Sequence, residues 1–326
     1  MVKACIFKDN EAQKKFEENG FVKFPFLNAD QCAALRNLYE KQLPGMVFSN
    51  GLHISVDAYA PEEKGKLKTA LLHLIEPSIA RCFKPVSHVH HGFIVKQSES
   101  SQSQISAHQD WTFVAENEGF NSGTLWIAVN DVPKERGGIG FLSGSHKWLS
   151  HTRYTPMELA YNPINEHREL LAKHLVFEDL KAGEAVLWNH RTLHASVANS
   201  SKEDRMVVAM SLFPKDAQLK LHYQLPTAPD TVGIFDVDLE FYQRHKATDF
   251  NLVYAQNKCP EGLIPVSSYP ITMARLDADK LEAALNNSSQ KPIETNDILM
   301  KNIEPSNDSN VGFWARMSKI IFQKDA

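Results

Sequence analysis

The hydrophobic pattern of the chain changes character once, near His88, from helical spacing to short apolar runs. Residues 10–19 read as a helix stopped by Gly20, because glycine takes the left-handed conformation that closes a helix without a steric penalty. Phe21-Val22-Lys23-Phe24-Pro25-Phe26 then reads as a short strand. Asn28, with Gln31 three residues on, has the spacing of a capping box, and Cys32, Leu35, Leu38 and Tyr39 supply the apolar stripe of the helix it opens. A further helix starts near Pro61 and presents Leu67, Leu71, Leu74 and Ile75. It is expected to end or bend by Pro77, which has no amide hydrogen to donate. From His88 to Phe213 the apolar runs have strand length and are punctuated by Gly, Asn and Ser, the pattern of a β-sandwich or jelly roll. The early helices would cover the outside of its major sheet.

One helical interruption falls inside the β region. Thr155-Pro156-Met157-Glu158 combines an N-cap, a proline at the first helical position and a capping-box glutamate. The insertion from there to His174 is expected to overhang the mouth of the sandwich and to select the substrate, with Tyr154 and Tyr161 as residues to test. Beyond residue 225 the pattern is mixed, and Asp236, Asp238 and Glu240 read as a solvated strand or turn face. These readings give a main domain at 1–285, a polar linker at 286–310 rich in Asn, Ser, Asp and Pro, and a short amphipathic helix at 311–326 carrying Trp314, Met317, Ile320 and Ile321. That helix has three open fates: packing on its own domain, contact with a second copy in a homo-oligomer, or docking on a membrane surface.

Composition narrows the function classes. With 326 residues, 43% hydrophobic, the chain can bury a substantial core. A net charge of -4 with no polybasic stripe argues against a nucleic-acid partner. No apolar run reaches the length of a transmembrane helix, and the first residues turn polar too early for a signal peptide. Cys5, Cys32, Cys82 and Cys259 show no Cys-x-x-Cys spacing and read as free thiols in a reducing compartment, so a cytoplasmic location is expected.

The candidate chemistry centres on His108-Gln109-Asp110, with His194 and Arg205 downstream. Two imidazoles and a carboxylate on one face of Fe(II) leave the other positions open for a chelating cosubstrate and dioxygen. His and Asp one residue apart in extended chain project to the same side, and the third ligand must arrive from another strand. Arg205 supplies a fork-shaped cation that matches a carboxylate, as needed to anchor a dicarboxylate such as 2-oxoglutarate. The chain has 14 histidines, however, and both His190 and the His88, His90, His91 cluster compete for ligand roles.

Around these residues stand Thr124-Leu125-Trp126-Ile127-Ala128-Val129, Gly137-Gly138-Ile139-Gly140-Phe141, Gly144-Ser145-His146, Gly183-Glu184-Ala185-Val186-Leu187-Trp188-Asn189-His190, His194-Ala195-Ser196 and Arg205-Met206-Val207-Val208. In order and spacing they resemble the phytanoyl-CoA dioxygenase family of Fe(II)/2-oxoglutarate oxygenases over about residues 10–215. The resemblance implies a mostly β fold with flanking helices, built on a double-stranded β-helix or jelly roll. It implies His108, Asp110 and His194 as iron ligands, with His194 preferred over His190, and Arg205 against the distal carboxylate of 2-oxoglutarate. It adds Trp126, Ser196 and Lys96 to the cosubstrate site, with Gln97 competing for the place of Lys96. Because Asp110 is retained, the resemblance favours oxygen insertion over halogenation. It implies hydroxylation of a small-molecule or lipid-like substrate using O2, with 2-oxoglutarate converted to succinate and CO2. The alternative is a non-catalytic jelly-roll protein that binds a metal or ligand, for which a dicarboxylate anchor would serve no purpose.

Overall fold

The computed structural model describes residues 5–149, 151–156, 162–245, 247–272, 275–287 and 293–299. Its elements run α1 (Asn10–Asn19), β1 (Phe21–Pro25), α2 (Ala29–Gln42), β2 (Leu52–Ile54), α3 (Ser55–Ala58), α4 (Pro61–Cys82), β3 (Val86–Lys96), β4 (Ile105–His108), β5 (Gly123–Ala128) and β6 (Ile139–Phe141). They continue with α5 (Ser145–Trp148), α6 (Arg168–Lys173), β7 (Val176–Glu178), β8 (Glu184–Asn189), β9 (His194–Ser196), β10 (Arg205–Pro214), β11 (Lys220–Leu225) and β12 (Ala228–Asp236). α7 (Leu239–Arg244), α8 (Ala247–Ala255), β13 (Ser267–Pro270), α9 (Ala278–Asn286) and α10 (Thr295–Ile298) complete the order.

A six-stranded sheet ordered β1-β8-β5-β10-β3-β2 faces a four-stranded sheet ordered β4-β9-β6-β7, and every pairing is antiparallel. Strand alternation divides the larger sheet into two faces. Trp126, Ala128, Val186, Trp188, Val207 and Ala209 point inward and meet Ile139 and Phe141 of the smaller sheet. Phe93, Val95, Leu125, Ile127, Leu187 and Val208 point outward and are covered by Phe16 of α1, Leu35 and Tyr39 of α2 and Leu67, Leu71 and Ile75 of α4. The jelly roll with helices outside its major sheet is therefore as the hydrophobic pattern implies.

Local signals hold in detail at the first helices. Gly20 closes α1 at φ 83, and the Asn28–Gln31 capping box forms with both reciprocal bonds. At Pro77 the outcome differs, because α4 runs on to Cys82. Pro77 lies on the exposed face, as does His73 four residues before it, so the carbonyl deprived of a partner can be hydrated while Ile75, Ser78 and Ile79 stay buried.

A third sheet, β11-β12-β13, missed by periodicity, begins just before residue 225 and extends into the mixed region. Leu221, Tyr223 and Phe235 from this sheet and Tyr242 and Phe250 from the helices after it pack against Val89, Trp111 and Phe113. Their partners lie too far along the chain for a short window to reveal. Asp236, Asp238 and Glu240 are all exposed, and Asp238 is also the N-cap of α7, accepting from the Phe241 amide. Part of the stretch expected as a polar linker is described: Ile298 of α10 is fully buried in a cluster with Leu281 and Leu285 of α9. The expected helix at 311–326 lies outside the described residues, as do Met157, Glu158 and Tyr161 of the expected helical interruption; described helical structure in that insertion spans 165–173. Among the described residues, no helix is long and apolar enough to cross a membrane.

Candidate metal centre

Strand pairing brings the three candidate ligands together. His108 closes β4 directly opposite His194, the first residue of β9. Asp110 lies just past the end of β4, so it is not held by ladder alternation; its amide instead donates to the His190 carbonyl at 3.0 Å. One ligand atom from each of His108, Asp110 and His194 lies within 4.8 Å of the others. Both imidazole Nε2 atoms stand 3.9 Å from Asp110 Oδ1, a gap that a bridging ion fits.

The protonation pattern suits a metal. His108 Nδ1 lies 2.8 Å from the Ser106 carbonyl and His194 Nδ1 lies 3.0 Å from the Thr192 carbonyl. A carbonyl only accepts, so each Nδ1 carries the hydrogen, which in the neutral ring leaves the lone pair on Nε2. Asp110 is divided in the same way. Its Oδ2 accepts from the Trp188 indole at 2.9 Å and the Thr124 hydroxyl at 3.1 Å, which leaves Oδ1 for the ion. Burial opposes ionisation of Asp110, but His194, His190 and His108 and the Trp188 bond outweigh it and hold the pKa at about 2. Burial, reinforced by His108, lowers His194 to about 4. A negative carboxylate beside imidazoles whose Nε2 atoms face it is the donor set that a divalent cation requires.

His190 has another part. Both its nitrogens are engaged, Nδ1 with Ser122 Oγ at 2.7 Å and Nε2 with Thr124 Oγ1 at 3.1 Å. The Thr124 hydroxyl donates its hydrogen to Asp110, so it accepts from His190 Nε2, and Ser122 donates to Nδ1. His190 thus braces Asp110 from behind. Of the other rivals, His88 and His91 bond to one another at 2.8 Å, and His146 anchors a turn on the Glu17 carbonyl at 3.1 Å. His90 borders the cavity but is outside the metal-capable group.

Away from the trio Arg205 lines the same cavity, and Lys96 stands behind it, bonded to the cavity-lining Ser196. Arg205 opens β10 and Lys96 closes β3, and register sets them opposite one another. Arg205 is 1% exposed; its Nη1 donates to the Gly137 carbonyl at 3.0 Å, and its guanidinium sits 5.2 Å from the Trp126 ring centroid. Its Nε has no hydrogen-bond partner, and among the described residues no carboxylate pairs with either cation. Lys96 Nζ donates to Ser196 Oγ at 2.7 Å and to the Val197 carbonyl at 2.7 Å. Burial, reinforced by Arg205, lowers Lys96 to about 6, and burial lowers Arg205 to about 9, still charged near neutrality. Gln97, the competitor of Lys96, is exposed. Gly137 makes room for the pair: a Cβ there would stand 2.8 Å from Lys96 Cδ.

Ser196 follows His194 by two residues on β9, so the cationic end lies about 7 Å along the strand from the third ligand. A five-carbon dicarboxylate fits that span. The cavity, about 380 Å³, is otherwise lined chiefly by apolar side chains, among them Ile54, Val56, Ile94, Ile105, Trp111 and Met210. The described residues of the 155–174 insertion do not line it, and Tyr154 is buried outside its wall. The wall comes instead from Ile54, Val56 and Asp57, the end of β2 and the adjoining α3, which Gly92 lets approach the sheet; a Cβ on Gly92 would stand 2.9 Å from Ser55 Cβ. Sequence reasoning also missed Trp188, Thr124 and His190 as braces of Asp110. The inward phase of the two strands carrying Trp188 and Thr124, together with the need of a buried indole for an acceptor, could have found the first two.

Comparison with solved structures returns the epimerase SnoN in complex with Fe3+, alpha ketoglutarate and nogalamycin RO, at 20% identity over 63% of this chain and 83% of that one, TM-score 0.46. It also returns the carbocyclase SnoK from nogalamycin biosynthesis, at 21% identity over 65% and 86%, TM-score 0.47. HygX from Streptomyces hygroscopicus with nickel and 2-oxoglutarate bound matches at 14% identity over 64% and 88%, TM-score 0.44. No curated protein sequence matches the chain. The sequence profile of the phytanoyl-CoA dioxygenase family matches residues 16–207, more than half of the chain and the whole run from α2 into β10. The protein belongs to the phytanoyl-CoA dioxygenase family and is a non-haem iron oxygenase that uses 2-oxoglutarate and O2.

Proposed function

We propose that His108, Asp110 and His194 hold Fe(II), that Arg205 anchors the distal carboxylate of 2-oxoglutarate with Ser196, Trp126 and Lys96 around it, and that the chain hydroxylates a small-molecule or lipid-like substrate. The observation that supports this reading is the pairing, in one cavity, of three ligand atoms with a buried guanidinium, Arg205, that lacks a carboxylate among the described residues. An uncompensated buried cation is costly, and a bound dicarboxylate removes that cost. The bound iron with 2-oxoglutarate and O2 supplies the oxidising power for hydroxylation, and 2-oxoglutarate leaves as succinate and CO2.

The protein's own residues do the rest. His108 and His194 offer fixed lone pairs, and Trp188 and Thr124 hold Asp110 so that one oxygen faces the ion. Partial exposure of His108 and Asp110, 29% and 23%, gives the centre an open side on the cavity. The apolar walls exclude water and favour a substrate that presents a hydrocarbon surface to the iron. We assign this activity to a single oxygenase domain at 1–285, against whose α9 Ile298 of α10 also packs.

Succinate release from 2-oxoglutarate, measured with Fe(II) across a panel of apolar and amphipathic small molecules, tests the reading. Stimulation by one compound class together with its hydroxylated product is expected. Iron and 2-oxoglutarate binding with no turnover across a broad panel would favour a ligand-binding protein.

A further inference from the structure

The deepest charges outside the metal and cosubstrate groups belong to Glu116 and Arg153, which Arg191 joins from a partly exposed position. Glu116 and Arg153 side chains are 8% and 3% exposed and form a bidentate pair, at 2.7 Å to Nη2 and 2.8 Å to Nη1. Arg191 Nε donates to Glu116 Oε2 at 2.8 Å. A buried carboxylate shared by two guanidiniums is weak evidence for stability, since desolvation of the charges consumes most of their attraction. Its value lies in the geometry that it fixes, and here that geometry closes on the candidate ligands.

Arg153 Nε donates to the Asp110 carbonyl at 2.8 Å, and the Thr112 amide donates to the Arg153 carbonyl at 3.0 Å. On the other side, Arg191 belongs to the turn between His190 and His194, and its carbonyl accepts from the Gln109 side-chain amide. The Asp110 amide completes the circuit on the His190 carbonyl at 3.0 Å. The ring therefore runs from Asp110 through Arg153, Glu116 and Arg191 to His190 and back. The ladder pairs His108 with His194 but ends there; the ring joins Asp110, past the end of β4, to the turn at 190–193 that leads into β9.

We infer that Glu116 is a positioning residue: held by Arg153 and Arg191, it locks the two ligand-bearing segments together and pre-forms the iron site. The inference rests on the proposed iron site and adds a residue that touches neither iron nor cosubstrate. A merely structural ion pair predicts loss of stability with unchanged metal affinity in the folded protein. A positioning role predicts the reverse.

The test is an anaerobic Fe(II) titration of metal-free full-length protein, read by tryptophan fluorescence beside a thermal melt. The double variant Glu116→Met with Arg153→Met replaces the buried pair by apolar side chains of similar volume and leaves only Arg191, which is 22% exposed and can be hydrated. Near wild-type melting with Fe(II) affinity weakened about 10- to 100-fold is expected, the usual scale for groups that orient metal ligands. Fe(II) affinity within about twofold of wild type in this folded variant would overturn the inference. If the double variant does not fold, Glu116→Gln decides: weakened Fe(II) binding supports the inference, and unchanged binding overturns it. Failure of the wild-type protein itself to bind Fe(II) would instead remove the iron reading on which the inference stands.

Discussion

Replacing Arg205 by methionine should separate stability from cosubstrate binding. Methionine keeps much of the volume of the buried stem but removes a cation that is 1% exposed and has no carboxylate partner among the described residues. In the protein without cosubstrate, the losses are bonds to the Gly137 and Ile94 carbonyls and the face of Trp126, each about 1 kcal/mol. Relief of burying an uncompensated charge offsets them, so the melting temperature should stay within about 4 °C of wild type. With 2-oxoglutarate bound, removing one partner of a buried hydrogen-bonded charge pair costs about 2–5 kcal/mol. A value of about 3 kcal/mol corresponds to roughly 150-fold in Kd, at about 1.4 kcal/mol per tenfold. Anaerobic calorimetric titration of 2-oxoglutarate into metal-loaded Arg205→Met measures it. A Kd within about threefold of wild type, or a variant that fails to fold, would refute the assignment of Arg205 as a cosubstrate anchor rather than a structural cation.

Other predictions address the ligands and pH. Trp188→Phe removes the indole bond to Asp110 Oδ2 and should weaken Fe(II) binding about 10-fold or more; an unchanged titration would show that the indole does not orient the carboxylate. His194→Ala should abolish iron binding, whereas His190→Ala should retain it in weakened form because His190 only braces Thr124 and Asp110; the opposite ranking would exchange their roles. With Lys96 lowered to about 6 in the free site, an incoming carboxylate favours its charged form, so binding above that pH takes up a proton. Affinity for 2-oxoglutarate should therefore fall as pH rises above about 6, by up to tenfold per unit, and a flat profile with no proton uptake in calorimetry would remove Lys96 from the site.

What the sequence reveals divides along the range of the forces involved. Gly20, the Asn28–Gln31 box and the outward stripes of α2 and α4 are local signals, and the structure repeats them. His108, Asp110, His194 and Arg205 stand out because chemistry restricts which residue types suffice; pairing of β4 with β9 and of β10 with β3 sets His108, His194 and Arg205, and the His190 carbonyl holds Asp110 beside them. Less legible is whatever depends on partners distant in sequence. Pro77 is tolerated only because its side of α4 faces solvent, and the β11-β12-β13 sheet is stabilised by Trp111 and Phe113 from the far side of the site. The described residues of the insertion before His174 do not line the cavity; Ile54, Val56 and Asp57 do, because Gly92 permits α3 to lie close to the sheet. Glu116, Arg153 and Arg191 are ordinary surface types in a linear reading, and only their burial together marks them.

The most direct test of the central claim is anaerobic addition of Fe(II) and then 2-oxoglutarate to the metal-free protein, monitored by visible absorption. A charge-transfer band is expected only when both are present and is absent in His194→Ala. A folded wild-type protein that binds Fe(II) and 2-oxoglutarate without developing the band, or binds neither, would contradict that claim.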